Sequence, residues 1–143
     1  MNVAEIRRGL AAVLDQIPGC RVVDGLPESL PASGQTYLVI TPGQPYVTYS
    51  EGSGRVNQNE IRMTVVAVPP QQSGASRVLD ELDALLSCGT AAPRSIRTLL
   101  GDFLSLEGTA CSVSTQSASI RQMTINDMTS VVAEVELLIM ARC

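Results

Sequence analysis

The chain has 143 residues and a net charge of −4 at pH 7, which predicts a single acidic domain. It is 45% hydrophobic but only 3% aromatic, so aliphatic side chains must supply its core. This charge argues against a nucleic-acid-binding surface, because such a surface needs clustered cations.

Two missing residue types exclude several kinds of enzyme. All ten cationic residues are Arg, and neither Lys nor His occurs. Without His, no Ser-His-Asp or Cys-His nucleophile can form. Without Lys, neither a Schiff base nor a Walker A phosphate loop can form. We therefore expect no enzymatic activity and no cofactor.

The four cysteines are widely spaced, and none forms a C-x-x-C pair, so no metal site is predicted; they are Cys20, Cys88, Cys111 and Cys143. Residues 1–8 lack the apolar segment of a secretion signal, and no apolar run reaches about 18 residues. We expect reduced, mostly buried thiols in a cytoplasmic setting and no membrane segment.

The first predicted element is an amphipathic helix over residues 2–17. Asn2 is the expected N-cap, and Glu5 completes a variant of the capping box. Pro18-Gly19 ends the helix. The apolar residues that recur at helical spacing are Val3, Ile6, Leu10, Val13, Leu14 and Ile17.

Two strands and a turn are predicted next. Residues 20–24 form a short strand, and the proline-bearing residues 25–34 form a loop. Residues 36–41 show no polar alternation, which favours a strand that is covered on both faces. Pro42-Gly-Gln-Pro45 is predicted to turn the chain.

A long polar segment, here called the arm, spans residues 46–60. It carries glycines and no core pattern, so we expect it to project from the body and to contact other subunits. It leads into a strand over residues 57–68, in which alternate residues share a face. Pro69-Pro70 ends this strand, because proline cannot donate to a ladder.

Two helices follow, over residues 75–87 and, beginning near Pro93, as far as about residue 103. The side chains expected in the core are Val78, Leu79, Leu82, Leu85, Leu86, Ile96, Leu99, Leu100 and Phe103. The charged side chains expected to face solvent are Asp80, Glu81, Asp83, Arg94 and Arg97.

The C-terminal part predicts a strand over 109–118, a polar connection over 119–128 and a last strand over 129–142. From residue 131 to residue 139, the odd-numbered residues of the last strand form a fully apolar face. The other face carries two carboxylates and then two apolar residues, namely Glu134, Glu136, Leu138 and Met140. An outer face that turns apolar needs cover from a helix or from a neighbouring subunit.

This order of elements predicts an α+β fold in one domain over residues 1–143. We expect a mostly antiparallel sheet of about four to five strands, with helices packed mainly on one face and a long β-hairpin arm.

Glu134 and Glu136 are the main candidates for chemistry, because two carboxylates on one strand face could serve a glycosidase or bind a cation. A solvated or Arg-paired strand face is the alternative interpretation. The residues predicted to contact other subunits or partners are Tyr46, Tyr49, Glu51, Arg55, Asn57, Asn59, Arg62, Glu134, Glu136, Leu138 and Met140.

Six stretches between residues 2 and 100, within an order of elements that extends over nearly the full length, carry a resemblance to a known family: Asn2–Leu14, Ile17–Val23, Pro45–Arg55, Ile61–Val66, Leu79–Leu86 and Pro93–Leu100. In this order they resemble the tail terminator (tail completion) proteins of long-tailed bacteriophages. The resemblance implies a non-enzymatic α+β subunit that assembles as a hexameric ring. Such a ring would cap the tail tube, end its polymerisation and offer a surface for joining the head.

The partners implied by the resemblance are further copies of the chain, the tail tube protein and the head–tail connector or neck proteins. The implied location is the neck end of the virion tail, after assembly in the host cytoplasm. No nucleic-acid specificity and no membrane association are expected. The alternatives are a head–tail connector in twelve copies, a small ligand-binding or enzymatic α+β domain that uses Glu134 and Glu136, and a monomeric domain.

Overall fold

A computed structural model describes most of the chain, namely residues 2–23, 34–49, 58–70, 75–89, 92–101, 105–106, 109–125 and 127–142. The helices are α1 (Val3–Leu14), α2 (Ala75–Leu86) and α3 (Ile96–Gly101). The strands are β1 (Cys20–Val22), β2 (Thr36–Thr48), β3 (Gln58–Val68), β4 (Ser105–Leu106), β5 (Thr109–Ile125) and β6 (Met128–Arg142).

The strands form one sheet in the order β1-β2-β3-β6-β5-β4. β1 and β2 are parallel, and all other neighbours are antiparallel. The predicted α+β class with a mostly antiparallel sheet is therefore confirmed. In the described part of the chain, five strands make up the sheet as predicted, and the two-residue β4, which gives no signal in the sequence, adds a short strand at its edge.

Helix α1 begins as its sequence predicts. The side chain of Asn2 accepts hydrogen bonds from the backbone N–H groups of Ala4, at 3.1 Å, and Glu5, at 3.3 Å. These bonds satisfy two of the donors that a helix start leaves without partners. The helix ends at Leu14, earlier than predicted, but Ile17 beyond it is still buried.

The predicted turn over Pro42–Pro45 is wrong, because β2 runs on to Thr48. Pro42 lies opposite Met63 and Val47 lies opposite Ile61, so four β2 residues between them face one β3 residue. This is a bulge. Two prolines without N–H groups interrupt the ladder locally, but the strand resumes beyond them.

Gly43 lies inside this bulge, where its backbone approaches β3 closely. A Cβ atom on Gly43 would lie 2.7 Å from Arg62 Cβ and 2.8 Å from the Arg62 carbonyl oxygen. We expect Gly43→Ala to lower the free energy of unfolding by about 1–3 kcal/mol, because the strands must move apart. Urea unfolding checks this against Gly101→Ala, whose Cβ meets nothing within 4 Å. Equal stability of the two variants would contradict the prediction.

The predicted connection over residues 119–128 is also wrong. β5 continues to Ile125 and pairs with β6 up to the contact between Ile125 and Met128, around a turn in which Asp127 has a φ of 62°. Residues 116–122 are exposed on both faces of the sheet. An edge strand of this kind needs no apolar alternation, and so its sequence gives no strand signal.

Two apolar clusters lie on opposite faces of the sheet. The main cluster joins residues of all three helices to the odd-numbered residues of β3 and β6, among them Ile61 and Leu137. A smaller second cluster holds Tyr37, Val39, Val66 and Val132 from the other face. The first part of β2, residues 36–39, is thus buried on both faces, as predicted for the strand over residues 36–41, whereas the rest of β2 is more exposed. None of the helices in the described part of the chain is long and apolar enough to cross a membrane.

Candidate subunit interface

The arm is rooted in the sheet at both of its ends. Tyr46 belongs to β2, and the chain returns as β3 at Gln58. Tyr49, the last described residue before the gap, keeps 68% of its surface exposed. The candidate contact residues Glu51, Arg55 and Asn57 lie outside the described residues, as does most of the predicted projection.

Three further candidates occupy the roots of the arm. Tyr46 is half-buried and packs against the main cluster. Asn59 is 2% exposed, so its side chain belongs to the interior of the subunit. Arg62 stays half-exposed and forms an ion pair with Glu60 at 3.5 Å. Such an exposed pair contributes less than about 1 kcal/mol to stability, so both groups are available to a partner.

Leu138 and Met140 form an apolar patch with this ion pair on the face of the sheet opposite the main cluster. Leu138 lies opposite Arg62 and Met140 lies opposite Glu60 in the β3–β6 register. We call these four residues the end patch. Both apolar side chains are half-buried. The described helical residues in the two apolar clusters all belong to the main cluster, on the other face.

Glu134 and Glu136 are each bonded to a neighbour on β5. Arg121 donates from Nε to Glu134 at 2.6 Å and forms an ion pair with it. Ser117 donates its hydroxyl to Glu136 at 3.1 Å. Among the described residues, no three His, Cys, Asp or Glu side chains come close enough to hold a metal ion. The Arg-paired interpretation therefore fits this strand face better than a two-carboxylate site.

A polar network centred on Arg94 was missed by the sequence analysis, which placed Arg94 and Glu81 in solvent. Arg94 donates from both terminal nitrogens to Glu81, at 2.5 and 2.6 Å, and from Nε to the Pro18 carbonyl at 2.8 Å. Thr36 donates its hydroxyl to the same carboxylate at 2.6 Å. The network joins α2, β2, the end of the α1–β1 connection and the turn before α3.

The ionisation of this network follows from its geometry. Hydrogen bonds from Arg94 hold the pKa of Glu81 below its usual range, and the same carboxylate raises the pKa of Arg94. Arg94 also donates to the Cys20 sulfur at 3.3 Å, but burial is the larger effect and raises the pKa of that thiol. Burial thus disfavours the thiolate form of Cys20, which is the nucleophilic form of a cysteine.

An open cleft of about 580 Å³ lies beside this network. Among the described residues, its charged lining consists of two arginines and two carboxylates, whose charges balance; these residues are Arg77, Asp80, Glu81 and Arg94. Arg94 and Glu81 already form hydrogen bonds with each other. No spacing rule relates residues 81 and 94, which is why their contact could not be predicted from the sequence.

No model of a known protein family matches the chain, and no curated protein matches it either. A function therefore has to be inferred from its residues and their geometry.

Proposed function

We propose that the chain is a structural subunit of a phage tail, which forms a ring on the end of the tail tube, stops its growth and offers a surface to the neck of the head. The proposal rests on the resemblance of six ordered stretches to tail terminator proteins. One structural observation supports it: the roots of the arm and the end patch lie at the same end of the sheet.

The β3–β6 register places these features together. Gln58, where the chain leaves the arm, lies opposite Arg142, and Met140 of the end patch follows two positions away. A half-exposed apolar pair edged by charges is typical of a subunit contact, which has an apolar centre and a polar rim. A closed ring needs two different surfaces that meet head to tail. In the proposed ring, the arm of one subunit contacts the end patch of the next.

Electron microscopy of the purified protein mixed with uncapped tail tubes tests this function. We expect density at one end of each tube and a halt in tube growth, with six copies per ring by mass measurement. Tubes that keep growing in the presence of folded protein would contradict the proposal. Twelve copies per particle would favour a head–tail connector instead.

Deleting residues 51–57 is expected to leave the subunit folded but to abolish capping, because the arm supplies one of the two ring surfaces. Circular dichroism and the same capping assay measure both effects. Met128→Ser is a matched control, since it removes an exposed apolar side chain at the opposite end of β6. Normal capping by the folded deletion variant would refute the role of the arm.

A further inference from the structure

The two long sides of the sheet differ in how they are protected against pairing with another strand. Beyond the short β1, the outer side of β2 carries Pro42 and Pro45 within a bulge, and proline removes the N–H donors that an added strand would need. β5 contains no proline, and from Ser112 to Gln122 it pairs only with β6 among the described strands. An edge of this length that is not blocked is a template for another strand.

The sequence of this edge is complementary to itself when it is read in the opposite direction. If two copies of β5 run antiparallel with Thr115 opposite Gln116, Ser114 meets Ser117, Ser112 meets Ser119 and Val113 meets Ala118. Hydroxyls thus meet hydroxyls, and small aliphatic side chains meet each other. Such pairs of Ser or Thr residues stabilise neighbouring strands.

A bulge in β5 makes this pairing geometrically consistent. In an antiparallel pair, residues that lie directly opposite each other must share a face. The register with β6 skips Gln116, with Thr115 opposite Leu137 and Ser117 opposite Glu136. The extra residue places Ser112, Ser114, Ser117 and Ser119 on one face, although their numbers differ in parity. Without the bulge, this self-pairing would set opposite faces against each other.

The charges on the strand also permit the pairing. The charged side chain between residues 112 and 122 is Arg121, and it is already neutralised by Glu134. In the proposed register, Arg121 would fall opposite position 110 of the other copy, but β4 already pairs with Ala110 on that edge, so the new pairing runs from Ser112 to Ser119 and leaves Arg121 outside it. No like charges therefore meet across the axis, and no side chain has to leave a buried site.

We propose that β5 is a self-association edge: two copies of the chain join through their β5 strands, antiparallel about a two-fold axis near Thr115 and Gln116, and extend the sheet across both subunits. This contact goes beyond the proposed ring. A two-fold contact uses the same surface on both copies and cannot by itself close a six-fold ring. One strand pair buries less area than a standard interface, so the dimer is expected to be weak.

Paired charge variants of the full chain test the edge and its register. Ser112→Lys with Ser119→Lys places like charges opposite each other twice, and we expect the dimer dissociation constant to rise about tenfold or more. Ser112→Glu with Ser119→Lys places opposite charges there, and it should dimerise at least as well as the wild type. Gln44→Lys with Thr48→Lys adds the same charge to exposed positions on the blocked side, and should have no effect.

Sedimentation equilibrium and hydrogen exchange give independent readouts. The apparent mass of the wild type should rise from 15.1 kDa towards twice that value with concentration, while the amides of residues 112–119 exchange more slowly. A wild type that stays monomeric at every concentration, or a double-Lys variant that dimerises as well as the wild type, would overturn the proposal. Six-fold rings on tail tubes, combined with β5 amides that exchange as fast as in the monomer, would also overturn the β5 proposal. That result would leave the proposed ring function unaffected.

Discussion

Leu137→Ala is expected to lower the free energy of unfolding by about 2–5 kcal/mol, because it opens a cavity in the main cluster. Leu137 is 1% exposed and lies on β6 between Met63 of β3 and Thr115 of β5. Neighbours on both sides are held by the sheet ladder, so the site cannot collapse around the smaller side chain. Urea unfolding followed by circular dichroism measures the loss.

The next residue provides the matched control. Leu138 has the same side chain on the same strand, but it points to the opposite face and is half-buried. Leu138→Ala should therefore cost less than about 1.5 kcal/mol in the isolated subunit. Equal losses at residues 137 and 138 would show that the two faces of β6 are buried alike, against the structure. In the proposed ring, Leu138→Ala should instead weaken tail capping.

Arg94→Ala is expected to lower the free energy of unfolding by about 1–3 kcal/mol, because it leaves the Glu81 carboxylate partly buried without the two hydrogen bonds from Arg94. The lower part of that range allows for screening of the ion pair by water, since both of its side chains are about one-quarter exposed. Arg94→Lys should recover only part of the loss, because one ammonium cannot reproduce two parallel hydrogen bonds. Arg121→Ala breaks the more exposed pair with Glu134 and should cost less than about 1 kcal/mol.

The pH dependence of this loss distinguishes the ion pair from simple packing. Arg94 lowers the pKa of Glu81 in the folded state, so the stabilisation is present above the unfolded-state pKa of that carboxyl. It is lost as the pH falls through the folded-state pKa. The difference in unfolding free energy between the wild type and Arg94→Ala should therefore shrink on acidification. A difference that stays constant down to the acid transition would mean that Arg94 acts mainly through packing.

Two predictions about the strands are wrong, the turn at residues 42–45 and the connection at residues 119–128, because pairing with a neighbouring strand decides the backbone structure at both places. At residues 42–45, two prolines and a glycine predict a turn, but β3 pairs with the flanking residues and the interruption becomes a bulge. At residues 119–125, a polar run predicts a connection, but β6 supplies the hydrogen bonds that make it a strand. Local composition indicates the conformation that a segment prefers in isolation. At the edge of a sheet, the neighbouring strand decides whether the segment becomes a strand.

The sequence by itself determined the α+β class, the capped start of α1 at Asn2 and the apolar face of β6, because these depend on residues close together in the chain. Only the tertiary structure decided the Arg94–Glu81 contact, the half-exposed end patch and the open edge of β5. Each of these depends on which strands and helices become neighbours, and no local periodicity carries that information.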